Sequence, residues 1–157
     1  MIKEIYLPEY LTDYLSKVLD NLVYNKLVIP FNSSASQNAE QTNNLSRNLY
    51  LTPILKDIIN HINFERTLSY RWFHMIAYNT NGYQQKHNHS ATEDYSYILY
   101  LESCSVGGET FFELPDNSVK GIQPIKNKLI FFPSHLTHWG GQVFDSKKVA
   151  VGALIVQ

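Results

Sequence analysis

The apolar period of this chain changes once, and that change limits what it can fold into. Up to about residue 62 apolar residues recur at helical spacing; from Tyr70 onward they alternate. A period of 3.6 builds one face of a helix and a period of two builds one face of a strand. Leu7, Leu11, Tyr14, Leu15, Val18, Leu19 and Leu22 predict a helix from about Pro8 to Asn21, with its apolar stripe on the main core. Thr52 and Pro53 form a cap and first-turn signal. Ile54, Leu55, Ile58, Ile59 and Ile62 follow at helical spacing and predict a second helix ending near His61. Between the two, "NSSASQNAEQTNN" (Asn32–Asn44) is polar and without period, and reads as a loop and a candidate lid.

The second part reads as short strands. "YRWFHMIAY" (Tyr70–Tyr78) is aromatic and alternating, and it stops at the turn signal "NTNG". Further strand candidates are Tyr95–Glu102, Glu109–Glu113, Val119–Ile122, Leu129–Phe132, Thr137–Val143 and Lys148–Val156, separated by turn chemistry at "VGG", "LPDNS" and "GG". Short antiparallel strands at this spacing specify a sandwich or barrel. The pattern predicts a mainly β (α+β) chain, a double-stranded β-helix or jelly roll with two N-terminal packing helices. Its 157 residues are enough to bury one sizeable core, so one domain is expected over 1–157, with helical support to about residue 65 and a jelly roll from about residue 69.

Charge and cysteine usage exclude several function classes. Thirteen Lys plus Arg against fourteen Asp plus Glu leave a net charge of −1, which is no electrostatic footprint for nucleic acid or an anionic membrane. Cys104 is the only cysteine, so neither an internal disulfide nor a thiolate metal site is available. The first residues, "MIKEIYLPEYLTDYL", are broken by Pro, Glu and Asp and do not read as a signal peptide. No apolar run approaches the roughly 18 residues that span a bilayer. A soluble protein of a reducing, cytoplasmic compartment is expected.

The chemistry-bearing stretch is "GYQQKHNHS". On a strand, residues i and i+2 share a face about 7 Å apart, so His87 and His89 can approach one ion. Imidazole suits first-row divalent metals. A third ligand from a neighbouring strand is offered by "FFPSHLTHWGG", as His135 or His138, and spacing alone does not choose between them. His61 and His74 show no metal spacing and read as structural or exposed.

From Ala77 onward, about half of the chain resembles the iron- and 2-oxoglutarate-dependent dioxygenases, in their prolyl 4-hydroxylase-like branch. That family has a Tyr, a Gly-containing turn and His-x-Asp, where this chain has "AYNTNGYQQKHNH". It then has a Tyr-Leu strand leading into Gly-Gly-Glu-Thr-x-Phe, matched by "YILYLESCSVGGETFF". A Pro-containing turn, an apolar strand, a distal His and a Lys or Arg ten residues later correspond to "PIKNKLIFFPSHLTHWGGQVFDSKKVAVGALIV". The resemblance selects His138 over His135. It implies His87 and His138 as iron ligands, Lys148 as the cation for the distal carboxylate of 2-oxoglutarate, and Tyr78 and Thr110 as hydrogen-bonding partners of that cosubstrate. Tyr83, Gln84 and Trp139 flank the implied iron and are candidate substrate contacts. The implied reaction couples decarboxylation of 2-oxoglutarate by O2 to hydroxylation of a small molecule or peptide side chain.

His89 departs from the family, which has Asp or less often Glu there. Three readings stay open: a three-histidine site, which is favoured; a carboxylate supplied by Glu93 or Asp94 with His89 supporting it; or a weakened or lost activity. Cupins, also jelly rolls, offer an alternative. "HNHSATE" fits their first metal motif with Glu93 as the acid, but cupins account for neither Gly-Gly-Glu-Thr nor Lys148. A metal-free binding module is the third class.

Overall fold

The computed structural model describes residues 1–30, 36–89 and 92–157. Its elements in chain order are β1 (Lys3–Tyr6), α1 (Glu9–Tyr24), β2 (Ile29–Pro30), β3 (Ser36–Gln41), α2 (Thr52–Ile62), β4 (Leu68–His87), β5 (Tyr95–Tyr100), β6 (Thr110–Glu113), β7 (Val119–Ile122), β8 (Lys128–Pro133), β9 (His138–Gly140) and β10 (Lys147–Val156). The strands run β1-β8-β5-β10-β4-β9-β6-β7 in one curled antiparallel sheet, and β3 pairs with β2 and β4. With α1 and α2 against one face, this is the expected jelly roll.

Both helices begin close to where the sequence places them. Pro53 occupies the first turn of α2, where its missing N–H costs nothing, and Asn63 in the left-handed region ends it. Leu11, Leu15 and Leu19 of α1 are buried, as are Leu55, Ile58 and Ile62 of α2.

The helices cover only one side of the sheet, and strand alternation divides the apolar residues accordingly. On β5 and β8, Tyr97, Leu99, Leu129 and Phe131 join the helix-side core. Their neighbours Ile98, Tyr100, Ile130 and Phe132 point the other way, into the interior of the roll. On β10, Ala150 and Leu154 face the helices while Val149 and Val151 face the interior. A step of one residue therefore moves a side chain from one core to the other.

Three expectations need correction. The "NTNG" segment does not end its strand. β4 continues to His87, pairing with β10 up to Tyr78 and with β9 at Gln84 and His87. Asn81 takes a left-handed φ of 67°, and its N–H donates to Val143 O at 2.7 Å. Asn tolerates that conformation, so the chain bends from one half of the roll into the other without reversing. The Asn32–Asn44 loop contains β3, a polar strand whose ladder with β4 needs no apolar period; Asn32–Ala35 lie outside the described residues. The Thr137–Val143 strand contracts to His138–Gly140. β1, in "KEIY", went unpredicted because four mostly exposed residues carry no period.

Gly152 makes room for a buried ring on the helix side. A Cβ there would stand 2.6 Å from Cζ of its cross-strand neighbour Tyr97. That ring cannot retreat, because its hydroxyl bonds to Tyr70 Oη at 2.9 Å and Tyr70 in turn donates to Leu55 O at 2.9 Å. Gly152→Ala is expected to cost about 1–3 kcal/mol by overpacking. An unchanged urea midpoint would contradict this packing.

Candidate metal centre

The sheet itself brings two of the histidines together. His87 on β4 and His138 on β9 are cross-strand partners, with ring centroids 4.2 Å apart. His89 lies just beyond β4, where its N–H donates to Ser134 O at 2.9 Å. Its ring stands 4.8 Å from that of His87 and 5.1 Å from that of His138. One ligand atom from each of the three falls within 4.8 Å of the others.

The hydrogen bonds around the rings expose metal-binding nitrogens. Nδ1 of His87 donates to Gln85 O at 2.8 Å and Nδ1 of His138 to Leu136 O at 3.0 Å, which leaves each Nε2 with its lone pair. His89 Nε2 is buried with no partner among the described residues. A buried orphan of this kind is costly unless something outside the chain satisfies it. Burial pushes the His89 pKa down to about 4 and that of His138 to about 3, with repulsion from His87 adding to both shifts. His87 is lowered too, chiefly by burial. Three neutral, converging imidazoles with bound Nδ1 protons or unused nitrogens fit a first-row divalent cation.

A cavity of about 280 Å³ opens beside the three rings, walled by Trp72, His74, Ile76, Ile98 and Val151 with Gln41 and Gln84. A smaller space of about 20 Å³ shares Gln84, Ile98, His138 and Val151 with it and reaches Tyr78, Thr110 and Lys147. Lys147 is 4% exposed; its Nζ donates to Gly108 O at 2.9 Å and sits 5.0 Å from the Tyr78 ring centre. No carboxylate among the described residues forms an ion pair with it. Burial lowers its pKa to about 8 and pushes the Tyr78 phenol well up, so that Tyr78 stays a neutral donor. Thr110 Oγ1 and Tyr100 Oη share a short hydrogen bond.

Lys148 is not in this group. It lies on the helix side of β10, with Nζ 2.7 Å from Asp20 Oδ1 of α1. Lys147 shares the parity of Val149 and Val151, so the lysine that enters the roll is the one before. The family spacing points to Lys148 because a residue count through the Gly141–Ser146 turn does not preserve strand parity.

No protein-family model matches the chain, and no curated protein sequence matches it. Solved structures do. A Pseudomonas putida prolyl-4-hydroxylase superposes with a TM-score of 0.74 at 14% identity, over 99% of this chain and 92% of that one. A Trichoplax adhaerens prolyl hydroxylase in complex with a hypoxia-inducible-factor peptide fragment gives 0.75 at 13% identity, over 97% and 82%. The non-heme alpha-ketoglutarate-dependent epimerase SnoN from nogalamycin biosynthesis gives 0.74 at 11% identity, over 99% and 77%. This is the fold of the prolyl 4-hydroxylase-like 2-oxoglutarate/iron oxygenases.

Against that fold, the remaining candidates divide by face. Neither carboxylate joins the histidines: Glu93 Oε1 accepts from the Trp72 indole at 2.7 Å, and Asp94 Oδ2 accepts from the Val156 N–H at 2.8 Å. Gln84 faces the cavity, and Trp139 borders the smaller space while its ring stacks on Phe111 at 5.5 Å. Tyr83 lies on an outer groove with Lys86 and Gln142 and not in the cavity. His135 is exposed. His74, read from sequence as structural or exposed, lines the cavity, and Trp72 does as well. Both share β4 parity with Tyr78, which is the signal that could have found them.

No helix among the described residues is long and apolar enough to cross a membrane. The histidine shifts set an acid limit for the apoprotein. A folded-state pKa below the ordinary value near 6.5 favours the folded state above pH 6.5, an advantage lost as pH falls toward the folded value. Between about pH 6 and pH 4.5 stability should drop with falling pH by roughly 1.4 kcal/mol per unit for each of His89 and His138. His138→Gln should flatten the slope. Urea unfolding of the apoprotein at a series of pH values reads it directly.

Proposed function

We propose that the chain is an iron(II)-dependent oxygenase using 2-oxoglutarate, with His87, His89 and His138 as its metal ligands. The observation that supports it most is one cavity system holding two complementary features: three neutral imidazoles with unused nitrogens, and a buried lysine that forms no ion pair among the described residues. An unpaired buried cation is costly, and a dianion bridging toward the metal removes that cost. The chemistry supplied by iron, when bound, is the coupling of 2-oxoglutarate decarboxylation by O2 to hydroxylation of a second substrate.

The protein's own residues do the rest. Lys147 holds the distal carboxylate of 2-oxoglutarate as a fixed cation, in the place that the family spacing gives to Lys148. Tyr78 and Thr110 supply hydroxyl groups to the same ligand. Ile76, Ile98 and Val151 keep the intervening wall apolar and exclude water, which strengthens each of these interactions. Trp72, His74, Gln41 and Gln84 border the remaining space and face the substrate, a small molecule or a peptide side chain. The Trichoplax neighbour, bound to a peptide fragment, supports the second choice, and the epimerase neighbour shows that this fold also carries a reaction other than hydroxylation.

Anaerobic titration of the apoprotein with Fe(II) and then 2-oxoglutarate tests the proposal. A visible charge-transfer band saturating near one equivalent is expected. His87→Ala and His138→Ala should abolish it. Lys147→Ala should weaken 2-oxoglutarate at least about 30-fold, as expected for truncating one partner of a buried charge pair. Lys148→Ala should change it by no more than about two-fold, since a partly exposed pair contributes little. The reverse order for the two lysines would overturn the assignment of Lys147, and the absence of any band would overturn the reading.

A further inference from the structure

The carboxylate absent from the ligand set stands close behind it. Asp94 is engaged by the end of β10. Glu93 turns instead toward the cavity wall, where its carboxylate accepts the Trp72 indole N–H at 2.7 Å. The Trp72 ring packs on His89 with centroids 5.6 Å apart, and on its other neighbour His74 at 4.9 Å. His89 needs such support. It lies past the end of β4 and is tethered through its backbone N–H to Ser134 O, whereas the other two rings each have Nδ1 fixed on a carbonyl. Three neutral imidazoles also leave the charge of a dication uncompensated in a weakly polar interior. Through Trp72, Glu93 places a negative charge near His89.

We infer that Glu93 and Trp72 are a positioning pair for His89: the carboxylate holds the indole, the indole wall holds the imidazole toward the other two, and the compensating negative charge sits outside the ligand set. The inference rests on the reading of the three histidines as a metal centre and adds two residues to it. A charge-assisted N–H···O bond is strong enough to set a ring's orientation. It also gives Glu93 a reason not to swing in as a ligand, since leaving would take the acceptor from the part-buried Trp72 indole N–H.

Titration of the full-length apoprotein with Co(II), followed by its visible ligand-field bands, separates the possibilities. Removing an outer partner of a metal ligand typically lowers affinity by about 10- to 100-fold. Glu93→Ala should lower Co(II) affinity by about 10-fold or more and shift the bands. Glu93→Gln keeps an acceptor for the indole but no charge, and should fall between Glu93→Ala and wild type. Trp72→Phe keeps a ring but no N–H and should lose affinity in the same direction. The Glu93→Ala/Trp72→Phe double variant should be little worse than the worse single one, because the two act through each other. Tighter Co(II) binding in Trp72→Phe would show a released Glu93 acting as a ligand and would overturn the inference. Unchanged affinity and bands in Glu93→Ala and Trp72→Phe would overturn it as well. Thermal melting of each apo variant separates a site effect from misfolding, with Glu93→Gln as the mildest change. Wild-type protein that takes up no Co(II) would overturn the metal-centre reading and this inference together; uptake that the variants leave unaltered overturns only the pair.

Discussion

A strand has two faces, and in the middle of this sheet both are buried. β5, β8 and β10 pack Leu99, Leu129 and Ala150 against α1 and α2, and pack Ile98, Ile130 and Val149 into the roll. Register is then held from both sides, because a slip of one residue would exchange the contents of two cores. The histidine geometry follows from that rigidity. His87 and His138 meet because β4 and β9 are held in one register, and neither ring needs a flexible loop to reach the other.

The same two-sidedness separates the chemistry from the scaffold. Side chains on the helix side are mostly apolar, apart from the Tyr70–Tyr97 hydroxyl pair and surface pairs such as Lys148 with Asp20. The inner face begins with Trp72 and His74 on β4 and runs through Ile76 to Tyr78, opposite the β10 series Val151, Val149 and Lys147. Apolar layers between two polar ends bury the imidazoles and bury Lys147 with no ion pair among the described residues, so one constraint produces both halves of the candidate site. Burial is unfavourable to each of these groups separately and becomes tolerable once a cation meets the imidazoles and an anion meets the lysine.

His89 is where this chain parts from the His-x-Asp pattern that its sequence otherwise resembles. Glu93 stays nearby but is bound to Trp72. The negative charge is thereby kept within reach of the imidazoles while the ligand position itself is neutral. In the proposed centre, three neutral imidazoles would form a weaker donor set for high oxidation states than one with a carboxylate.

Much of this was legible in the linear chain. The switch of period gave two helices and a β roll, because apolar spacing reports directly which face an element buries. The order of "AYNTNGYQQKHNH", Gly-Gly-Glu-Thr and the distal histidine pointed to His87 and His138, and the one-residue spacing to His89, three rings that the structure brings together. Tertiary structure decided what depends on parity and partners. It placed Lys147 and not Lys148 inside, because the turn before β10 breaks any count carried across it. It ran β4 through Asn81 without a turn, because β9 was available to pair with the continuing strand. It made a strand of the polar Ser36–Gln41 segment, whose support is a backbone ladder that side-chain periodicity does not record. It brought Trp72 against His89 and Glu93 onto the Trp72 indole, contacts that strand spacing does not encode.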